Sequence, residues 1–385
     1  MKVAIVGGRL QGVEAAYLAG KAGWETVLID WSLDIPAKGL ADGFIQCDVT
    51  DLEKATQAVK DVDLIIPALE DNDALGALVK AADRVDVPLA YDSEAYRISS
   101  SKTESNRVFD RLGLPRPLDW PGCGFPVVVK PDGSSGSKGV RIVGSESELN
   151  AAMAHAPGAV IQAFAEGPSF SIEVAGLNGK ALPLVVTDIH LDPEFDCKRV
   201  TAPTTLSADL CEQFSSMAAQ LAEAMRLTGI MDLEAILSQG ELKLLEIDAR
   251  LPSQTPTAVY WSTGINIVEI LGCTFADNRL PQIAMPKKPR AVIYEHLFVA
   301  GGRGLITGEH IMSKAGPLEL QTNFYGADEA LTDYRPGLGQ WRATMIYCGD
   351  SHDEVWARRR DGLVALARDF SLSQILDPGP EEAPA

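Results

Sequence analysis

Two hydrophobic periods alternate along this 385-residue chain. Unbroken apolar runs of the buried-strand kind stand in KVAIVGG and ETVLID. Between them lies LQGVEAAYLAGKAG, where apolar positions recur at helical spacing. A strand, a helix and a second strand ending in Asp30 make a βαβ unit with a glycine-rich first turn. VDLIIPAL and VPLAY read as later parallel strands, so residues 1–96 are expected to form a Rossmann-like domain.

The pattern then changes. SSSKTESNRVFDRLGLPRP predicts a capped helix closed by prolines, and FPVVVKPDGSSGSKGVRIV a strand, a loop and a strand. SESELNAAMAHA and AVIQAF add a capped helix and a strand, giving a small α+β module over 97–170. In the third part, 171–376, GPSFSIEVAGLNGKALPLVVTDIHL reads as a long antiparallel hairpin and SADLCEQFSSMAAQLAEAMRLTG as a long helix. IMDLEAILSQGELKLLEIDAR is a second hairpin turning at Gln239-Gly240. Beyond about 275 strands and turns mix with one last helix, SHDEVWARRRDGLVALARDF. The proline-rich acidic tail, 377–385, is expected to be disordered. The fold class is α/β and α+β.

Composition narrows the function classes. A net charge of −19 argues against a nucleic-acid surface and suits cationic ligands. Six cysteines without a CxxC and five histidines without HExxH spacing offer no zinc-type site or disulfide framework. The apolar run at the N-terminus is too short for a signal peptide, and no stretch approaches membrane-spanning length. The protein is expected in the cytoplasm, with no nucleic-acid or membrane partner.

Two segments carry candidate chemistry. In VVVKPDGSSGSKGV, Lys130 ends an apolar strand and is followed by Ser134, Ser135, Gly136, Ser137 and Lys138. Small residues let backbone approach a ligand closely, and such loops cradle phosphates. The loop is not a Walker A motif, since Ser137 stands where that motif has glycine before its lysine. In the second hairpin, strand alternation puts Asp232 with Glu234 on one face, and Glu246, Asp248 and Arg250 on one face. Four adjacent carboxylates repel unless a cation lies between them, and hard Mg²⁺ with nucleotide phosphates fits that need. A solvated face of an antiparallel sheet is the alternative.

These features in this order resemble the ATP-grasp superfamily of carboxylate–amine ligases, over most of residues 1–275. The resemblance implies an ATP-grasp fold behind the Rossmann-like domain, with 97–170 as its lid and 171–376 as its catalytic part. It also implies ATP and Mg²⁺ as cofactors, and the serine-glycine loop as a flap over the β/γ-phosphates. Lys102 and Lys130 then match the two nucleotide-contacting lysines. Gln162, Ala163, Phe164 and Ala165 match the adenine hinge. The family's ribose-binding glutamate falls at Ser169, which leaves Glu166 as a substitute. Glu234, Glu246 and Asp248 match the metal ligands, with aspartate where asparagine is usual. Arg250 matches the arginine that holds the transferred phosphoryl group, or else pairs with Asp248.

Within the superfamily, GGRLQGVEAAYLAGKAG, FDCKRVTAP and EIDARLPSQTPTAVYWSTGINIVEIL are similar to the ligases of pyrrolysine biosynthesis that join 3-methyl-D-ornithine to L-lysine. That resemblance implies phosphorylation of the methylornithine (or D-ornithine) carboxylate and attack by the lysine ε-amine. Gln11, Gly12, Glu70 and Ser253 become substrate candidates, with Asp188, Asp196, Lys198 and Arg199 behind them. A homodimer is compatible with it. Asp232 lies outside the family's metal pattern. It either steers the lysine ε-ammonium or stands as a further carboxylate beside Mg²⁺. The competing readings are another ATP-grasp amino-acid ligase, an NAD-dependent oxidoreductase, or a non-catalytic binding protein on the same scaffold. The turn GGRLQG, lacking the middle glycine of GxGxxG, counts against the oxidoreductase.

Overall fold

The computed structural model describes residues 1–133 and 136–379. The chain divides into two compact units: residues 1–91, 190–203 and 251–385, and residues 92–189 and 204–250.

The first unit opens with a four-stranded parallel sheet, in the order Gly43–Gln46, Glu25–Asp30, Lys2–Val6, Leu64–Pro67. Its middle strands are buried, as unbroken apolar runs require. The expected strand at VPLAY is reduced to one bridge, Leu89 to Ile65. GFIQ forms the opposite edge of the sheet, beside Glu25–Asp30. Helix Leu10–Lys21 follows the glycine-rich turn, and its Gly12 lies so close to that turn that a Cβ would stand 2.1 Å from the Gly7 carbonyl oxygen. A separate antiparallel sheet in the same unit runs Cys197–Ala202, Ala291–Ala300, Gln340–Gly349, Glu329–Thr332, Glu319–Thr322. Its core gathers Trp341, Tyr347, Phe324 and Leu297.

The second unit holds the expected α+β module and both hairpins. Strand Val127–Lys130 is central in a three-stranded antiparallel sheet with Arg141–Val143 and Val160–Ala163. Helix Glu146–His155, capped by Ser145, packs its Leu149 and Ala152 with Val127, Val129 and Val143 to close the module. The larger sheet of this unit runs Glu241–Asp248, Gly229–Ser238, Ser169–Leu177, Lys180–Leu191. The hairpin turns at Asn178-Gly179 and Gln239-Gly240 have both residues at positive φ, as tight turns between twisted strands demand. One face of this sheet packs Phe170, Ile172, Met231, Leu233, Ala235, Leu244 and Ile247 against helix Ala208–Met225. Strand alternation therefore delivers Asp232 and Glu234 to the opposite face.

The tail does not behave as expected at its start. The Asp377 carboxylate takes bonds from Arg199 Nη2 at 2.5 Å and Arg359 Nη2 at 2.8 Å. Lys198 Nζ reaches the Pro378 carbonyl at 2.6 Å. Asp377 adds a second carboxylate to buried Glu295, which also faces the guanidinium groups of Arg199 and Arg359. Order thus extends past residue 376, while residues 380–385 lie outside the described residues.

Candidate active site

The site in the second unit is built by four elements. The register of the acidic hairpin pairs Asp232 with Asp248 and Glu234 with Glu246, so the four carboxylates form two cross-strand pairs. Like charges directly opposite one another repel. Glu173, on Ser169–Leu177, stands opposite Asp232 on the other side and is fully buried. Burial, then the neighbouring Glu173, holds the Asp232 carboxyl well above the usual range, against the lowering effect of the Ser171 hydroxyl, which donates to Asp232 Oδ1. Glu234 is reached by solvent but closely surrounded by protein. That desolvation, with Asp232, Glu246 and Asp248 beside it, pushes its carboxyl up as well. Carboxylates paired this closely across two strands are the donor set a hard divalent cation stabilises, so Glu234, Glu246 and Asp248 fit Mg²⁺.

Two lysines converge on the same carboxylates from distant parts of the sequence. Lys102 opens helix Lys102–Leu112, only 7% exposed, with its Nζ 2.6 Å from Glu246 Oε1. A lysine in a helix's first turn opposes the macrodipole, and here Glu246 holds it. Lys130 ends strand Val127–Lys130. Burial depresses its ammonium pKa, with Glu246 and Glu234 opposing that shift and Lys102 adding to it. Arg250 Nη2 lies 3.1 Å from Asp248 Oδ2, so the arginine and the expected metal ligand form an ion pair. Asp132, just after Lys130, accepts from the Ser101 hydroxyl at 2.9 Å and the Thr103 amide at 2.7 Å. This fixes the base of the flap to the helix that carries Lys102. Gly136 and Ser137 take positive φ, 60° and 55°, while Ser134 and Ser135 lie outside the described residues.

The hinge is more committed than the sequence suggests. Gln162 is buried, with its Nε2 3.5 Å from the Pro117 carbonyl. The Ala163 and Phe164 amides donate to Leu118 and Pro126 carbonyls. Those two N–H groups serve the fold, so an amide contact to a purine edge would come from further along, near Ala165. Glu166 is exposed.

The remaining candidates lie in the first unit. Gln11 Nε2 donates to Glu70 Oε1 at 2.9 Å, joining two predicted substrate residues. Ser253 accepts from the Thr255 amide through its carbonyl. Lys198 and Arg199 pair with Asp377, Arg199 also with Glu295, and Lys198 donates to the Pro378 carbonyl. Asp188, in the second unit, bonds the Thr204 hydroxyl and the Thr205 amide. Asp196 meets His310 and Asp192, a carboxylate–histidine group the sequence did not signal, with hydrogen bonds from Thr307 and Gly308 to Asp192. The dinucleotide reading loses its site: Asp30 accepts from the Gly8 and Ser32 amides, and Ile35 Cδ1 would stand 2.2 Å from a Cβ at Gly8. Glu173 was missed because SFSIEV reads as core, although its Ser-x-Ser-x-Glu alternation marks a polar face.

Comparison with known proteins agrees with this geometry. Residues 99–254 match the ATP-grasp domain family. The 3-methyl-D-ornithine–L-lysine ligase of Methanosarcina acetivorans is 35% identical over 380 residues, covering 96% of this chain and 99% of the relative. The chain belongs to the 3-methyl-D-ornithine–L-lysine ligase family. The Methanosarcina mazei ligase of the same name is 36% identical, with 96% and 97% covered. Among solved structures, the biotin carboxylase domain of Hydrogenobacter thermophilus 2-oxoglutarate carboxylase, in complex with MgADP and bicarbonate, superposes with TM-score 0.73. It is 16% identical over 94% of this chain and 89% of that one, which shows the ATP-grasp fold.

Proposed function

We propose that the protein joins the carboxylate of 3-methyl-D-ornithine, or D-ornithine, to the ε-amine of L-lysine at the expense of ATP. The observation that carries this reading is the meeting of Lys102, Lys130, Arg250 and four carboxylates on one sheet face. Family membership supplies the substrates. The reading keeps 1–96 as a substrate domain, 97–170 as the lid and 171–376 as the catalytic part, acting in the cytoplasm.

The substrate carboxylate attacks the γ-phosphorus, the bond to the ADP oxygen breaks, and an acyl phosphate forms. The lysine amine then attacks the acyl carbon, losing a proton, and inorganic phosphate leaves. Splitting one hard step in two lowers each barrier. Lys102 and Lys130 neutralise phosphate oxygens, and Lys130 is the stronger partner for being desolvated. Glu234, Glu246 and Asp248 would hold Mg²⁺, which neutralises phosphate charge when bound. A phosphate beside Lys102 and a cation beside Glu246 are mutually compatible, since each replaces the partner the other loses. Arg250 is placed to hold the transferring phosphoryl group once Asp248 turns to the metal. Asp232 offers a carboxylate of raised pKa, suited to receive the lysine ammonium and take its proton.

The test is a product assay on a panel of amino-acid pairs with ATP and Mg²⁺, read by mass spectrometry and nucleotide analysis. The reading expects ADP and an Nε-ornithinyl- or methylornithinyl-lysine. AMP with pyrophosphate, or a different amino-acid pair preferred, would refute it.

A further inference from the structure

Asp232 is hemmed in by like charges. The register sets Asp248 opposite it on one neighbouring strand and Glu173 opposite it on the other. Both disfavour its charge, and repulsion from two sides holds a carboxylate in no particular orientation. A hydrogen-bond donor does. The Ser171 hydroxyl donates to Asp232 Oδ1. Among the described residues that is the hydrogen bond this carboxylate takes, and Oδ2 has none.

Ser171 itself is held firmly. It is fully buried on strand Ser169–Leu177, which lies between Gly229–Ser238 and Lys180–Leu191. The pairing with Gly229–Ser238 runs unbroken from Gly229 opposite Gly176 to Ile236 opposite Ser169. Ser171 therefore stands directly across from Glu234 and diagonally across from Asp232, on their face of the sheet. On its other side it pairs with the fully buried Thr187, whose hydroxyl is 3.5 Å from the Ser171 carbonyl. A hydroxyl has one proton to donate. Here it goes to the diagonal neighbour, Asp232, and not to the metal candidate directly opposite. A strand in the middle of a sheet fixes a side chain more closely than a loop does.

We propose that Ser171 is a positioning residue for the amine step: it pins Asp232 Oδ1 so that Oδ2 is presented to the lysine ε-ammonium. The inference rests on the ligase reading and on Asp232 as the group that receives the amine. In the step it serves, the ammonium passes one proton to Oδ2, and the freed amine forms its bond to the acyl carbon. The bond from that carbon to the phosphate oxygen breaks, and the departing phosphate takes its electron pair and the second proton of the nitrogen. Phosphorylation of the ornithine carboxylate precedes this and does not involve Ser171.

The test is a double-mutant cycle on the full chain with D-ornithine, L-lysine, ATP and Mg²⁺, run beside a trapping assay in which hydroxylamine replaces lysine. Ser171→Ala should lower kcat/KM for lysine on the order of 10–100-fold, the worth of a hydrogen bond to a charged group. KM for ATP, KM for D-ornithine and the Mg²⁺ dependence should not move. Hydroxylamine is neutral at pH 7 and needs no carboxylate to free it, so ornithine hydroxamate and ADP should form at the wild-type rate. In Asp232→Asn, adding Ser171→Ala should cost nothing further, because the serine acts through the aspartate. Should Ser171→Ala fail to fold, Ser171→Cys keeps the volume with a much weaker donor and is expected to show the same loss. The proposal is overturned if lysine kinetics are intact in the serine variant, or if the two substitutions add. It is also overturned if hydroxamate formation falls together with amide formation, which marks a role in phosphorylation or in the fold. If Asp232→Asn itself leaves lysine kinetics intact, the amine role of Asp232 fails and takes that of Ser171 with it. The ligase reading fails separately, when the wild type forms no amide.

Discussion

Lys130 shows how one residue's surroundings set its chemistry. Three valines carry it into the protein, burial lowers its ammonium pKa, and Glu246 and Glu234 oppose that shift. Lys130→Ala should reduce kcat on the order of 10²-fold or more, as for other lost charge-stabilising donors, at saturating ATP. Near-normal turnover would remove it from the nucleotide site. Asp232→Asn separates the two roles open to that residue. If Asp232 receives the amine, KM for lysine rises and kcat falls, with the Mg²⁺ dependence unmoved; a change confined to Mg²⁺ dependence would rule that role out. Glu14 gives a prediction in pH. Its pKa is raised from 4.5 to about 7, chiefly by burial. Between those values the native state binds the extra proton. The stability this contributes is therefore present below pH 4.5 and lost as pH rises through about 7. The loss is of order 3 kcal/mol. Unfolding free energy of Glu14→Gln should lack this fall relative to wild type. Parallel pH curves for the two proteins would contradict the assignment.

At the scale of elements, the two hairpins were legible because strand alternation and positive-φ turn residues leave marks in sequence. Leu233 and Ile247 had to face the core, so Asp232, Glu234, Glu246 and Asp248 had to share the other side. Glu173 was not legible, because its place opposite Asp232 depends on how two separate hairpins pair. Hinge amides were also hidden, since their carbonyl partners Leu118 and Pro126 lie some forty residues earlier in irregular chain. The metal-side prediction belongs to the hairpin. Glu246→Gln should raise the Mg²⁺ concentration needed for half-maximal activity more than Asp248→Asn does, because asparagine is the family's usual second residue. Equal, unchanged Mg²⁺ curves would make the acidic face structural. For the flap, Gly136 has φ +60°, and among the described residues nothing stands within 4 Å of where its Cβ would be, so Gly136→Pro imposes an incompatible φ without a clash there. It should raise KM for ATP while leaving the melting temperature close to wild type.

The whole chain folds as two compact units whose segments interleave in sequence. The Rossmann-like start was readable from its apolar runs, and so was the last helix. The joining of residues 190–203 and 251–385 to the N-terminal unit was not, since it depends on contacts hundreds of residues apart. The tail is a case in point: composition alone marks it as disordered, yet Asp377 completes an ion network with Arg199, Arg359 and Lys198. Asp377→Ala should cost on the order of 2 kcal/mol in urea unfolding, less than a fully buried pair because part of the carboxylate is in solvent. No loss would show the contact to be incidental.

The central claim is that this chain activates an amino-acid carboxylate by phosphorylation, and oxygen tracing tests it most directly. D-Ornithine labelled with ¹⁸O in its carboxylate is incubated with L-lysine, ATP and Mg²⁺, and the released phosphate is analysed by mass spectrometry. The acyl-phosphate route predicts one labelled oxygen in inorganic phosphate, with ADP as the nucleotide product. Label in AMP, or unlabelled phosphate accompanying amide formation, would contradict it.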